Sequence, residues 1–317
     1  MKGMVLVTGA SGFIGPGLCR RLQADGRWVR AVMRRRTAGP WDEAVTLDLG
    51  REALPAHLLA DIDCIFHLAG KAHALAAGPE AEAEEEYRLA NCRSTLDLLA
   101  AARSEGVRGF VYFSSVKAMG GGTADAPTPE GPYGRSKLAA ERAVLTSGAV
   151  PHPVVLRPSL VYGPHPKGYL ELLIRAVRAG WFPPLPELGN GRSMIHRDDL
   201  AQAAVLCAAL PQARGRTYVV TDGTPYSTRR IYECILEALD RRAPRWNLPI
   251  GLLRLAALGG DGIGRLRGRR LPFDSEVLEK LTGAACYDGT AIRQELGFQS
   301  RRTLRDSMAE MVATTRR

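Results

Sequence analysis

Short apolar runs rich in valine, isoleucine and leucine alternate along this chain with longer stretches whose apolar residues recur every three or four positions. The runs read as buried strands and the stretches as helices packed by one face. The first run is Val5-Leu6-Val7-Thr8. Leu18 and Leu22 then mark a helix to about Gln23, ended by Asp25-Gly26, and Trp28 to Met33 forms a second strand. Further strands are predicted at 45–48, 64–69, 109–115 and 154–157. An acidic stretch, Glu80 to Glu86, leads into one helix through Tyr87, Leu89, Leu96, Leu98 and Leu99 to Glu105, closed by Gly106. Its acidic start suits the positive end of a helix dipole. A Gly/Pro-rich loop, 120–132, precedes a long helix opening at Tyr133.

This alternation predicts an α/β fold built on a Rossmann-type, doubly wound parallel sheet. In such sheets ligands gather at the carboxyl ends of the strands, where Gly9, Asp48, Ala69-Gly70, Ser115 and Pro158 all fall. After residue 164 prolines punctuate shorter helical pieces, with helices at about 198–210 and 228–242 and a strand at 218–220. The predicted division is a nucleotide-binding domain over 1–164 and a smaller, mainly substrate-binding C-terminal lobe over 165–317, with segments returning to the first domain.

The 317 residues are 45% apolar and 24% charged, an ordinary globular balance. No secretory leader opens the chain and no apolar run is long enough to span a bilayer, so a cytoplasmic protein is expected. Six cysteines, at 19, 64, 92, 207, 234 and 286, have no metal-ligand spacing. They read as buried small hydrophobes in a reducing compartment, and no metal is expected. The net charge of +10 invites nucleic acid, anionic lipid or phosphorylated small molecules. No zinc finger, helix-turn-helix or aromatic-basic interleaving supports nucleic acid. Residues 246–258 are apolar and precede the basic cluster Arg265-Leu266-Arg267-Gly268-Arg269-Arg270. Two readings stay open for them: a helix resting on an anionic membrane, or a buried helix followed by a solvated loop.

Three glycines spaced three apart follow the first strand, in Thr8-Gly9-Ala10-Ser11-Gly12-Phe13-Ile14-Gly15. Strand, glycine turn, helix and second strand make a βαβ unit. Bare backbone lets a pyrophosphate approach the N–H groups of the helix start, and Gly15 lets the helix lie close to the sheet. Pro16 falls in the first turn, where its missing N–H has no partner to lose. At the end of the second strand an acid would hold a free ribose 2′-hydroxyl, whereas arginine suits a 2′-phosphate. Here the strand ends in Arg34-Arg35-Arg36, which favours NADP(H), with NAD(H) the alternative.

Tyr133 and Lys137 form a Tyr-x-x-x-Lys pair on one helix face. The ammonium should lower the tyrosine pKa, and Tyr133 would exchange a proton with a substrate oxygen while hydride moves. Ser115 would hydrogen-bond the same oxygen.

With these motifs the chain resembles the extended short-chain dehydrogenases/reductases, in their NAD-dependent epimerase/dehydratase group. The likeness covers nearly the whole length: TGASGFIG, Asp48-Leu49, HLAG at 67–70, Asn91-x-x-x-Thr95, FVYFSS at 110–115, YGRSK at 133–137, LRPSLVYGP at 156–164 and RSMIHRDDLA at 192–201. The resemblance implies that Gly9, Gly12 and Gly15 hold the pyrophosphate, with Thr8, Ser11, Phe13 and Ile14 of the same turn lining the cofactor. Asp48 and Leu49 would sit by adenine. Leu68, Ala69 and Gly70 would line the cofactor, with Asn91 as buttress, and Pro158 and Ser159 would face the nicotinamide. Ser115, Tyr133 and Lys137 would be the catalytic triad, with Tyr133 and Lys137 also binding the cofactor, Lys137 through the nicotinamide ribose. Ser115 is preferred because it lies five residues before Gly120, with Ser114 in reserve. Substrate contacts would come from Lys71, Ser114, Ser115, Leu160, Arg192 and Lys280, Arg192 gripping a diphosphate. The chain departs from the family at Leu160, where Asn is frequent, and at Met119, which replaces the usual Tyr. His67 and His73 read as packed or solvated, and His196 as satisfying local backbone groups.

Three functions follow from this resemblance: an epimerase or 4-keto reductase of a nucleoside-diphosphate sugar; a dehydrogenase of a hydrophobic alcohol of the 3β-hydroxysteroid kind; or a non-catalytic NADP-sensing regulator. Relatives often pair as homodimers through helices like 86–105 and 133–146.

Overall fold

The structure is a computed structural model and describes residues 3–72, 80–123, 125–244, 246–267 and 274–315. Its strands are β1 (Met4–Thr8), β2 (Trp28–Met33), β3 (Glu43–Thr46), β4 (Ile62–His67), β5 (Gly109–Phe113), β6 (His152–Pro158), β7 (Leu160–Tyr162), β8 (Arg192–His196), β9 (Thr217–Val220) and β10 (Pro225–Tyr226). The helices are α1 (Gly15–Ala24), α2 (Glu80–Tyr87), α3 (Ser94–Ser104), α4 (Gly131–Thr146), α5 (Tyr169–Arg178), α6 (Arg197–Ala209), α7 (Thr228–Ala238), α8 (Ile250–Arg267), α9 (Ser275–Thr282), α10 (Thr290–Leu296) and α11 (Leu304–Thr314).

The chain divides into two units. The first holds everything up to Ser159, then Arg197–Thr221 and Asp288–Gln299. Seven parallel strands run through it in the order β3-β2-β1-β4-β5-β6-β9. Val5, Leu6 and Val7 are buried, as a central strand covered on both faces requires. The order reverses direction between β1 and β4, and there Thr8 pairs with Val32 on one side and His67 on the other. The carboxyl ends of β2, β1 and β4 therefore finish level at the switch point, where such sheets bind ligands.

The second unit holds Leu160–His196, Asp222–Tyr287 and the chain from Ser300. It has a small sheet, β10-β8-β7, and a core of Tyr162, Ile174, Met194, Ile231, Ile235 and Met308 from its strands and helices. A separate, smaller cluster of Leu185, Leu253, Ala257 and Leu278 holds α8 and α9.

The helix predicted from Glu80 to Glu105 is interrupted. A π-helical segment, Arg88–Arg93, separates α2 from α3. The wider turn points Asn91 inward, where it is fully buried and hydrogen-bonded, a tertiary gain that apolar spacing does not signal. Strands β3, β4 and β5 stop two residues short of the predicted ends, leaving Asp48, Leu68-Ala69 and Ser114-Ser115 on loops. Helix α4 starts two residues earlier than predicted, since Pro132 is tolerated in its first turn. The cysteine reading holds for Cys19, Cys207 and Cys234. It fails for Cys64 and Cys92, which are part-exposed, and for Cys286, which is exposed. Burial pushes the Cys19 and Cys207 thiols up to about 12, so neither is a nucleophile. Among the described residues no helix is long and apolar enough to cross a membrane. His73 lies outside the described residues.

Helix α4 is tied to β6 by a buried ion pair. Arg157 Nη2 donates to Glu141 Oε2 at 2.7 Å and Nε donates to Oε1 at 3.0 Å, with both side chains under 5% exposed. Ser114 donates its hydroxyl to the same carboxylate. Arg157→Met leaves that carboxylate buried without its countercharge, and the loss should be about 3–5 kcal/mol in urea unfolding. Replacing Glu141 and Arg157 together by apolar residues of similar volume should recover most of it.

Candidate active site

The glycine turn closes against its neighbours at van der Waals limits. Gly9 has φ of +67°, and a Cβ there would stand 2.8 Å from Ala69 N. A Cβ on Gly15 would stand 2.2 Å from the Ala10 carbonyl oxygen. Ser11 and Gly12 are exposed. Helix α1 starts with no side-chain cap, so its first N–H groups lack an acceptor from a cap. A bare turn, an uncapped helix start and a strand switch point fit the pyrophosphate of a nicotinamide dinucleotide. Two residues that the sequence reading left without a role flank this turn. The Arg197 guanidinium lies 5.5 Å from the centre of the Phe13 ring, and Asp198 approaches Gly17, whose Cβ would be 2.9 Å from the Asp198 carboxylate.

Below the turn runs a buried hydrogen-bond chain whose proton positions are fixed. Thr95 Oγ1 donates to Asn91 O at 2.6 Å, so it accepts from His67 Nε2 at 3.1 Å. The imidazole proton is therefore on Nε2. Nδ1 accepts from Thr8 Oγ1 at 2.7 Å, and Thr8 Oγ1 accepts from Ala69 N at 3.1 Å. Burial, reinforced by the Lys137 charge, pushes His67 down to about 3, so the ring is neutral. His67 is thus packed rather than catalytic. Asn91 continues the scaffold. Its Oδ1 accepts from Lys71 N at 2.9 Å, while Nδ2 donates to Lys71 O at 3.1 Å and Ser136 Oγ at 2.9 Å. Ser136 donates in turn to Tyr133 O at 2.8 Å.

Ser115, Tyr133 and Lys137 come together over this scaffold. Ser115 caps a single 3₁₀ turn, Val116–Ala118, by accepting from Lys117 N at 3.2 Å. The start of α4 crosses that turn so closely that a Cβ on Gly134 would stand 2.4 Å from Lys117 O. This crossing brings the Tyr133 phenol close enough to Ser115 for the serine hydroxyl to act on its pKa. One helical turn on, Lys137 is buried and donates to Phe113 O at 2.8 Å, with its ammonium 4.8 Å from the centre of the Tyr112 ring. Burial lowers Lys137 to about 8, opposed by Glu141. The predicted lowering of Tyr133 is overturned. Burial raises its pKa, and the downward pull comes from Ser115. Tyr133 is therefore a protonated donor at neutral pH.

The remaining predicted residues divide. Leu68, Ala69 and Gly70 follow β4 beside the glycine turn, and a Cβ on Gly70 would stand 3.2 Å from Lys137 Nζ. Arg34 and Arg35 are exposed just past β2. Asp48 is half-buried after β3 and Leu49 belongs to the core cluster of the first unit. Lys71 Nζ pairs with Glu86 at 3.1 Å. Ser114 is corrected: it is 5% exposed and bonded to Glu141, so it faces the interior rather than a substrate. Pro158 ends β6. The Ser159 hydroxyl turns inward to Val220 O at 3.1 Å, so only its backbone is left to face a cofactor. Leu160, Arg192 and Lys280 belong to the second unit. There Leu160 begins β7, and the Arg192 guanidinium lies 4.8 Å from the centre of the Tyr169 ring. Lys280 falls on α9, and its side chain lies outside what is described. His196 is buried edge-on to Tyr162, 5.3 Å between ring centres.

A sequence profile of the NAD dependent epimerase/dehydratase family matches residues 5–221. The chain belongs to that family. UDP-glucose 4-epimerase of Vibrio cholerae is 28% identical over 324 residues, which cover 98% of this chain and 94% of the relative. A 3 beta-hydroxysteroid dehydrogenase/Delta 5-->4-isomerase of Mycobacterium tuberculosis is also 28% identical, with 97% and 89% covered. Among solved structures, MoeE5 in complex with UDP-glucuronic acid and NAD aligns with a TM-score of 0.75 at 27% identity, covering 98% of both chains. This member of the epimerase/dehydratase family is accordingly an enzyme of the short-chain dehydrogenase/reductase type.

The neutral His67 makes a pH prediction for the family scaffold. Its folded pKa lies below the unfolded 6.5, so the unfolded chain takes up a proton that the folded one refuses. The stability it contributes is complete above pH 6.5 and falls as pH drops toward 3, by up to about 1.4 kcal/mol per pH unit. Chemical unfolding at pH 7 and pH 5 should show this loss in the native protein. His67→Gln should be less stable at pH 7 but should lose less on acidification; an equal loss in both would be the contrary result.

Proposed function

We propose that the enzyme acts at C4 of a nucleoside-diphosphate sugar by hydride transfer, as a 4-keto reductase or 4-epimerase, with Tyr133 as the acid/base group. The observation that carries this reading is Tyr133 one helical turn from buried Lys137, on a helix start that Gly134 lets cross the turn capped by Ser115, in a chain similar along 98% of its length to UDP-glucose 4-epimerase. The nicotinamide supplies or accepts hydride at the sugar carbon when bound. Ser115 donates to the carbonyl oxygen and orients it. Tyr133 gives that oxygen its proton as the carbonyl becomes an alcohol, while Lys137 would hydrogen-bond the nicotinamide ribose. In the oxidising direction each proton step reverses. A tyrosine held protonated by burial suits reduction, the direction in which it must first give a proton away. Arg192 would hold the diphosphate through a bidentate guanidinium.

NADP(H) is the cofactor we favour over NAD(H). Arg34, Arg35 and Arg36 stand exposed just past β2, and no acid occurs between Met33 and Trp41 to hold a free 2′-hydroxyl. A second reading, a hydrophobic alcohol as substrate, rests on Met119 and Leu160 and on the similarity to the hydroxysteroid dehydrogenase. A panel of UDP-sugars, their 4-keto forms and hydroxysteroids separates the two readings.

Tyr133→Phe should lower kcat by about 10²–10⁴-fold while leaving cofactor affinity unchanged, measured by nicotinamide absorbance and by titration. Unchanged turnover would remove Tyr133 from the chemistry. NADPH should bind at least about tenfold tighter than NADH, and Arg34→Ala with Arg35→Ala should abolish that preference without weakening NADH.

A further inference from the structure

Among the described residues, helix α8 packs on the second unit by one side. Leu253 and Ala257 enter the small cluster with Leu185 and Leu278, and Gly260 is buried one turn further on. The opposite side carries Leu252, Leu255, Leu258 and Ile263, which are 53%, 66%, 61% and 45% exposed. Leu252, Leu255 and Ile263, with Gly259 between them, recur at the spacing of a single helical face. Trp246, just ahead of the helix, is 61% exposed. The buried-helix reading of this segment therefore holds for one side of α8 only. The one acid in α8, Asp261, is occupied: it accepts from Ser275 N at 3.2 Å and from Ser275 Oγ at 2.5 Å. Arg254 supplies the charge on the exposed side.

The charge of the sequence that holds this helix is the second observation. Residues 241–273 contain eight arginines and one aspartate, a net of seven positive charges out of the ten on the whole chain. An apolar helix face inside such a segment restricts what can cover it. A second copy using the same face would bring both positive segments together, because a two-fold contact sets each patch against itself. The glycines at 251, 259 and 262 leave no side chains for directional recognition of a folded partner. An anionic bilayer meets both features: leucines enter the acyl boundary, tryptophan settles at headgroup depth, and arginines reach phosphate. With no helix able to cross a membrane among the described residues, α8 would lie in the interface.

We propose that the outward face of α8, from Trp246 to Ile263, docks this enzyme on an anionic membrane surface. The test is co-sedimentation of the full chain with phosphatidylcholine vesicles made with and without phosphatidylglycerol. Binding should require phosphatidylglycerol and weaken as salt rises. Leu252→Asp with Leu255→Asp should lower binding at least about tenfold, with circular dichroism unchanged because both side chains are exposed. Leu172→Asp, at another exposed leucine on α5, should bind as the native chain does. Failure to bind phosphatidylglycerol vesicles overturns the proposal, as does native-like binding by the double variant. A dimer in light scattering that the double variant breaks, with no vesicle binding, overturns it in favour of a second copy.

Discussion

The tautomer of His67 is the constraint on which the site depends. A neutral ring has one donor and one acceptor, and both are committed: the donor to Thr95, the acceptor to Thr8. This chain of bonds links the end of β1, the end of β4 and the π-helical segment across the switch point. A protonated ring would have two donors facing one usable acceptor, in a setting that strips charge of its solvation. Burial and the nearby Lys137 charge both act against protonation, and so the junction keeps a single hydrogen-bonding arrangement. The loop Leu68-Ala69-Gly70 inherits its position from that junction, and Gly9 packs directly on its backbone.

Tyr133 is held from the other side by close backbone contact. Gly134 lets α4 lie on the Val116–Ala118 turn, and Asn91 fixes the helix through Ser136 one turn after Tyr133. Further along the same face, Glu141 anchors α4 to Arg157 of β6. Tyr133, Lys137 and Glu141 are spaced four apart, so they share one helix face. The carboxylate that pins the helix is also the group that opposes the loss of the Lys137 charge. Stability of α4 and protonation of Lys137 are thereby coupled through one residue.

What the sequence disclosed follows from the range of the forces involved. The glycine turn was legible because strand, bare turn and helix are adjacent in the chain and their geometry is local. The same holds for Tyr133 and Lys137, whose neighbourhood a single helical turn guarantees. The interruption at Arg88–Arg93 was hidden, because its gain comes from Asn91 meeting residues 20 and 45 positions away. Ser114 and Ser115 differ only in which way a loop turns, and the deciding partner of Ser114, Glu141, lies 27 residues on. The tyrosine pKa was misjudged for a related reason. The i, i+4 spacing gives proximity, but burial and the competing carbonyl of Phe113 decide what the ammonium can do.

Charge distribution separates two roles that the net figure of +10 merges. Seven of those charges sit in residues 241–273, outside the unit that carries Tyr133, and the remaining 284 residues contribute three. The first unit is thus close to electrically balanced apart from local features such as Arg34-Arg35-Arg36. Such a balance suits a site that must hold a doubly or triply phosphorylated cofactor through a few placed groups rather than a broad field, because a diffuse positive surface would attract any polyanion with little discrimination. Excess charge gathered on one helix-bearing segment acts differently. It is summed over many weak contacts, falls off within about 10 Å at ordinary ionic strength, and selects a surface rather than a molecule. The basicity of this chain is therefore a property of one segment, and it carries no information about the unit that holds Tyr133.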